Sequence, residues 1–269
     1  TSRFSASASE ILAAALQDYK RALVVGDSST HGKGTVQSLV ELNRFLRTTN
    51  NLGALKLTIR KFYRINGEST QLKGVVPDVV LPSVNNYAEI GEASLPNALP
   101  WDTIPSTKYE LVNQITKPMV DDLKNRSTTR ISVDKDFAYV LEEIERFKKA
   151  QAEKTISLNE KQRVKEKEEA KKRIEARKEE LKKRPPADYL TYEITLKNVD
   201  KPGLPSPLSP DKLTDATKDK PTKLDDPDEE KTDADEAILS KVDPTLDETR
   251  RILLDLISFV KNGSLAAKK

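Results

Sequence analysis

The chain has 269 residues, a third of them charged, with 46 basic against 43 acidic side chains and no cysteine. A net charge of +3 gives no field strong enough to draw nucleic acid, and the missing cysteines exclude disulfides, thiolate metal sites and a cysteine nucleophile. His31 is the single histidine, which excludes a multi-histidine metal centre; no metal or cofactor is expected.

Composition divides the chain. Residues 1–82 are rich in apolar and β-branched side chains, whereas much of 150–184 and 200–236 is charge and proline, so the core is expected mainly in the first part. Met119 is the single methionine, so the chain does not start at an initiator and reads as a fragment or processed product. Neither a signal peptide nor an apolar run of membrane-spanning length is visible.

In chain order, "ASEILAAALQDY" predicts a helix with Leu12, Ala15, Leu16 and Tyr19 on one face, capped by the serines before it. "RALVVGD" reads as a buried strand over Arg21–Asp27, "STHGKGT" as a tight loop and "TVQSLVEL" as a strand. In "ALKLTIRKFYRINGESTQLKGVVPDVVLP" the alternation of Leu55, Leu57 and Ile59 with polar neighbours predicts an antiparallel pair turning at Asn66–Gly67, followed by a short extended edge ending at Pro82. From Asp134 an apolar stripe of Phe137, Val140, Leu141, Ile144 and Phe147 predicts a helix, and 158–183 predicts a second one made mostly of charge, stopped by Pro185–Pro186. "YLTYEITL" is a further strand candidate, and 200–236 reads as disordered linker. The chain closes on an amphipathic helix with Asp243 as N-cap, Pro244 at its first position and Gly263 as a stop signal.

Two stretches carry chemistry. "SASASE" places Ser5, Ser7 and Ser9 at a helix N-terminus, where free backbone N–H groups and the dipole can stabilise an oxyanion. "GKG" places Lys33 between two glycines that permit close backbone packing, and a lysine serves as a base when burial depresses its pKa. From these residues alone two readings stay open: a helix cap with an ordinary turn, or a nucleophile with its base.

The motifs "SASASEILAAALQDYKRALVVGD", "HGKGTVQ" and "KFYRINGESTQLKGVVPDVVLP", in that order over residues 3–82, resemble the C-terminal processing peptidases, also called tail-specific proteases. The resemblance implies serine endopeptidases with a Ser–Lys pair on an α/β core related to the crotonase and Clp-protease fold. By position it makes Ser7 the nucleophile, Lys33 the general base, Gln37 the residue that orients the lysine, and the Ala8 N–H an oxyanion donor. An even spacing along a strand would put Lys33 and Gln37 on one face. The family's loop often reads "GEPTFGKG"; here "GDSSTHGKG" is one residue longer, with His31 in the aromatic position and read as a loop residue lining the cleft. Asp18 matches an aspartate common in the family, but eleven helical positions, about 16 Å, separate it from Ser7, so it reads as structural. Glu10, Asp27 and Asp78 read as a cap-region charge, a strand end and a turn; Arg60, Arg64 and Lys73 read as a solvated strand face.

The resemblance further implies a PDZ domain and a second oxyanion donor upstream, neither visible here, so residues 1–269 alone are expected to be inactive or poorly folded. It implies substrates with apolar C-termini, an adaptor among the partners, and a bacterial periplasmic or envelope setting. The expected division is 1–82 for the C-terminal part of the peptidase core, 83–199 for a helical domain with the long charged helix, 200–236 for a linker and 237–269 for the terminal helix. Two other readings stand beside it: an inactive scaffold that binds partners through its C-terminal helices, and a crotonase-like acyl hydrolase.

Overall fold

A computed structural model describes residues 1–45, 50–185, 190, 192–208 and 242–266. It is mixed α/β, with helices dominant and strands few. The chain forms two units, one of residues 1–154 with 244–269 and one of residues 155–243.

In the first unit, helix α1 (Ala8–Asp18) starts at Ser7 and has Glu10 in its first turn. It packs through Ala13 and Ala14 against Val75, while Leu12 is 63% exposed. The expected Leu12 stripe is therefore not the packed face among the described residues; the alanine face lets the helix backbone approach the 70–75 segment closely.

The expected strand over Arg21–Asp27 shrinks to β1 (Val25–Gly26), parallel to β4 (Val79–Val80). Asp78 explains the tight join, since its carboxylate accepts from the Val24 N–H at 2.8 Å and from the Gln17 amide at 3.1 Å. Strand β2 (Thr35–Glu41) forms as expected, but its antiparallel partner is β3 (Ala54–Lys61). The pairing anticipated across Asn66–Gly67 is reduced to a bridge between Tyr63 and Ser69. The β2–β3 register passes from Val36↔Arg60 to Gln37↔Thr58, leaving Ile59 as the extra residue of a bulge.

Helices α2 (Lys117–Val133), α3 (Lys135–Glu153) and α5 (Pro244–Ala266) complete the unit. Asp134 caps α3, its side chain accepting from the N–H groups of Asp136 and Phe137. Phe137 and Ile144 are the buried members of the expected α3 stripe; Leu141 is exposed. The main core joins Val79 and Leu81 of the β4 segment to Leu123 of α2 and Ile252 of α5, with Leu23, Val25, Ile131, Leu256 and Phe259 around them. The terminal helix thus packs on the strand pair that leads into the lysine loop. It starts at Pro244 as expected and runs past Gly263.

In the second unit, helix α4 (Glu160–Lys182) buries no residue. Asn159 caps it, and surface pairs such as Arg163–Glu166 and Arg184–Glu180, both 2.9 Å, run along it. Such pairs contribute little each. The described residues of 190–196 form no strand. Residues 209–236 of the expected linker lie outside the described residues.

Candidate active site

Ser7 sits at the N-cap of α1 with φ 55° and ψ −111°, a conformation outside the regions that non-glycine residues favour. Such strain persists only where neighbours impose it. The neighbour is Glu10, whose Oε2 accepts from the Ser7 N–H at 2.8 Å. The other serines are occupied locally: the Ser5 hydroxyl accepts from the Ser2 N–H at 3.0 Å, and the Ser9 hydroxyl donates to the Ala6 carbonyl at 2.8 Å. Ala8 opens the helix, and its N–H has no acceptor among the described residues, as the first turn of a helix allows.

The same Glu10 carboxylate organises the lysine loop. Its Oε2 also accepts from the Lys33 N–H at 3.0 Å, and its Oε1 accepts from the Gly32 N–H at 2.7 Å and the Thr30 hydroxyl at 2.5 Å. Glu10 is 0% exposed. A buried carboxylate is costly unless donors surround it, and here four converge. One oxygen therefore ties the backbone of Ser7 to the backbone of Lys33 across 26 positions of sequence. Reading Glu10 as a cap-region charge captured one of its four partners; the others come from a loop 20 to 23 residues away, which no local pattern signals.

The rest of the loop is equally tied. The His31 N–H donates to the Ser5 carbonyl at 2.9 Å, and the Gly32 carbonyl accepts from the Leu72 N–H at 2.8 Å. The Gly34 N–H donates to the Gln71 side chain at 2.9 Å. A Cβ on Gly34 would stand 2.7 Å from the Gln71 nitrogen, so the second glycine of the motif is needed for this approach. His31 lies half-buried on the loop, with Nδ1 buried and lacking a partner among the described residues. Arg3 also holds the loop, its guanidinium donating to the Ser29 hydroxyl and to the Thr30 carbonyl, the latter at 3.1 Å. Asp27 at the strand end accepts from the Arg3 N–H at 2.8 Å.

The structure thus brings the backbones of Ser7, Ala8 and Lys33 into one neighbourhood through Glu10, with Lys33 half-buried. Gln37 lies on β2 opposite Thr58 and is exposed; Lys33 precedes the strand, which starts at Thr35. Asp18 binds Arg64, which donates through Nε at 3.1 Å and through a second, shorter contact. Both side chains are largely buried. Arg64 is therefore not on a solvated face; Lys73 is exposed as expected, with its ammonium 3.3 Å from the centre of the Trp101 ring. Arg60 is exposed on β3 as expected.

The family model of Peptidase family S41 matches residues 1–81, and the model described as the C-terminal domain of tail specific protease (DUF3340) matches residues 85–258. A tail-specific protease of Haemophilus influenzae is 44% identical over 164 residues, covering 60% of this chain and 24% of that protein. A carboxy-terminal-processing protease of Bartonella bacilliformis is 46% identical over 77 residues, covering 29% of this chain and 16% of that protein. The carboxy-terminal processing protease CtpB of Bacillus subtilis is 37% identical over 102 residues, covering 38% of this chain and 19% of that protein. The chain therefore spans about a quarter or less of the length of these relatives. With the two family models meeting end to end along it, the chain belongs to the tail-specific protease family.

Proposed function

We propose that this chain carries the nucleophile and the base of a serine endopeptidase that acts on proteins selected by apolar C-terminal tails. Ser7 is the nucleophile, Lys33 the general base, Gln37 the amide that orients the lysine, and the Ala8 N–H one oxyanion donor. The observation that carries the reading is the single Glu10 oxygen that accepts from both Ser7 and Lys33 while Ser7 is held at φ 55°.

In this mechanism Lys33, in its neutral form, takes the proton of the Ser7 hydroxyl. The Ser7 oxygen bonds to the scissile carbonyl carbon, and the Ala8 N–H receives the oxyanion that develops. Lys33 returns the proton to the leaving amine as the C–N bond breaks, and a water, deprotonated by Lys33, releases the acyl group. Capture of the tail and the second oxyanion donor belong to residues outside 1–269. Residues 1–82 form part of a crotonase- or Clp-like peptidase core, followed by a helical domain over 83–199, a linker over 200–236 and the terminal helix; the setting is the bacterial periplasm or envelope. Among the described residues no helix is long and apolar enough to cross a membrane.

The test is turnover of an apolar-tailed peptide by the full-length polypeptide. Ser7→Ala and Lys33→Ala should each lower kcat by roughly a thousandfold or more, and the double variant should lose little beyond either, because the pair acts as a unit. A single variant that keeps most of its activity would refute the assignment.

A further inference from the structure

The lysine loop is gripped from two sides, and Glu10 accounts for only one. On the other side the Gln71 amide, 0% exposed, accepts from the Gly34 N–H at 2.9 Å and donates to Glu92 Oε1 at 3.2 Å and to the Leu99 carbonyl at 3.1 Å. These partners fix which end of the amide is oxygen. The Glu92 N–H donates to the His31 carbonyl at 2.8 Å. Gly91 makes this approach possible: its φ is 117°, and a Cβ there would stand 2.7 Å from the His31 carbonyl oxygen. Arg3 bonds the Ile90 carbonyl and the Thr30 carbonyl together.

A lysine flanked by two glycines has little conformational preference of its own. Its placement is decided by the bonds made to its loop, and those bonds come from Glu10 on one side and from Gln71 with residues 90–92 on the other. Residues 90–92 lie in the span matched by the C-terminal-domain model, not in the span matched by the peptidase model. We propose that Gln71 and Glu92 are positioning residues for the base loop, so that the first segment of the C-terminal domain sets the reach of Lys33 to Ser7. This rests on the Ser7–Lys33 reading given above.

The test uses the full-length polypeptide, an apolar-tailed peptide as substrate, and a fluorophosphonate to titrate reactive Ser7, so that kcat is expressed per competent site and a fall in folded fraction is removed. Glu92→Ala deletes one of the two acceptors of the Gln71 amide and should lower kcat about tenfold with KM nearly unchanged. Glu92→Gln keeps an acceptor oxygen and should recover most of that loss. Gln71→Glu sets two carboxylates against each other and should lower kcat roughly a hundredfold. Adding Glu92→Gln to it supplies an amide donor and should restore a large part. An active wild-type protein whose Glu92→Ala variant keeps its kcat per titrated site overturns the inference alone, as does a double variant no better than Gln71→Glu. A wild-type protein that neither labels at Ser7 nor hydrolyses the peptide overturns the protease reading and this inference with it.

Discussion

Glu10 and Glu248 are both fully buried glutamates, and the molecule satisfies them in opposite ways. Glu10 is surrounded by neutral donors, three backbone N–H groups and one hydroxyl. Glu248 is met by the Arg130 guanidinium, with contacts of 2.7, 3.0 and 3.1 Å, and by Arg251 at 3.6 Å; Arg130 also reaches Asp255 at 2.7 Å. The first arrangement locks two stretches of main chain around Ser7 and Lys33. The second fastens helix α5 to helix α2. The difference teaches what each carboxylate is for. A side-chain partner can be deleted together with the charge it pairs, but a backbone N–H cannot, so only the arrangement around Glu10 is irreplaceable.

The largest effect should come from Glu10→Gln. The new amide presents its own donors to groups that need acceptors, and each buried N–H left unmatched costs about 1–3 kcal/mol. Urea denaturation of the full-length polypeptide should show a loss of roughly 3–5 kcal/mol, or no folded first unit at all. A loss below about 1 kcal/mol would mean that the four donors find other acceptors, and the contrast with Glu248 would dissolve.

Arg130→Ala should cost about 3 kcal/mol, because it strands a buried carboxylate. Arg130→Met combined with Glu248→Leu removes both charges and should return to within about 1–2 kcal/mol of the parent. The corresponding apolar replacement at Glu10 should show no such recovery, since its donors remain. Equal behaviour of the two sites under apolar replacement would break the comparison.

Arg64→Ala leaves Asp18 without its guanidinium and should cost about 2 kcal/mol while leaving Ser7 reactive to a fluorophosphonate. Loss of labelling in a folded variant would instead bring Asp18 into the chemistry.

Much of the candidate site was legible because its signals are local. The serine run before a helical pattern and the lysine between glycines can be read within a dozen residues each, and so can the Asp134 cap and the proline that opens α5. What could not be read depends on pairings distant in sequence. Glu10 meets a loop 20 to 23 residues on, and Arg64 finds Asp18 across 46. The alternation in 54–61 correctly marked a strand, but alternation carries no address, and the Asn66–Gly67 turn pointed to the wrong partner. The stretch 21–27 was apolar enough for a long strand; Asp78 takes the Val24 N–H, so only Val25 and Gly26 pair with β4.

The smallest effect should be at Asp134, which sharpens the comparison because it combines both modes: two backbone N–H groups and one arginine, Arg251 Nη1 at 2.9 Å. Burial pushes its carboxyl up, but the hydrogen bond from Arg251 and those from Asp136 and Phe137 outweigh burial and hold it below the usual aspartate range. A carboxyl whose pKa is lowered by folding adds stability above its unfolded value, about 3.9, and loses it as pH falls through the lower folded value. Acid should therefore weaken the α3–α5 contact only below about pH 4. Asp134→Asn keeps the capping oxygen and drops the charge, so it should cost about 0.5 kcal/mol at neutral pH and flatten that acid limb. Asp134→Ala loses the cap as well and should cost about 1 kcal/mol. If both variants cost the same, the arginine contributes little beyond the cap, and α5 is held to the body by its apolar face and by the ion pairs of Glu248 and Asp255 with α2.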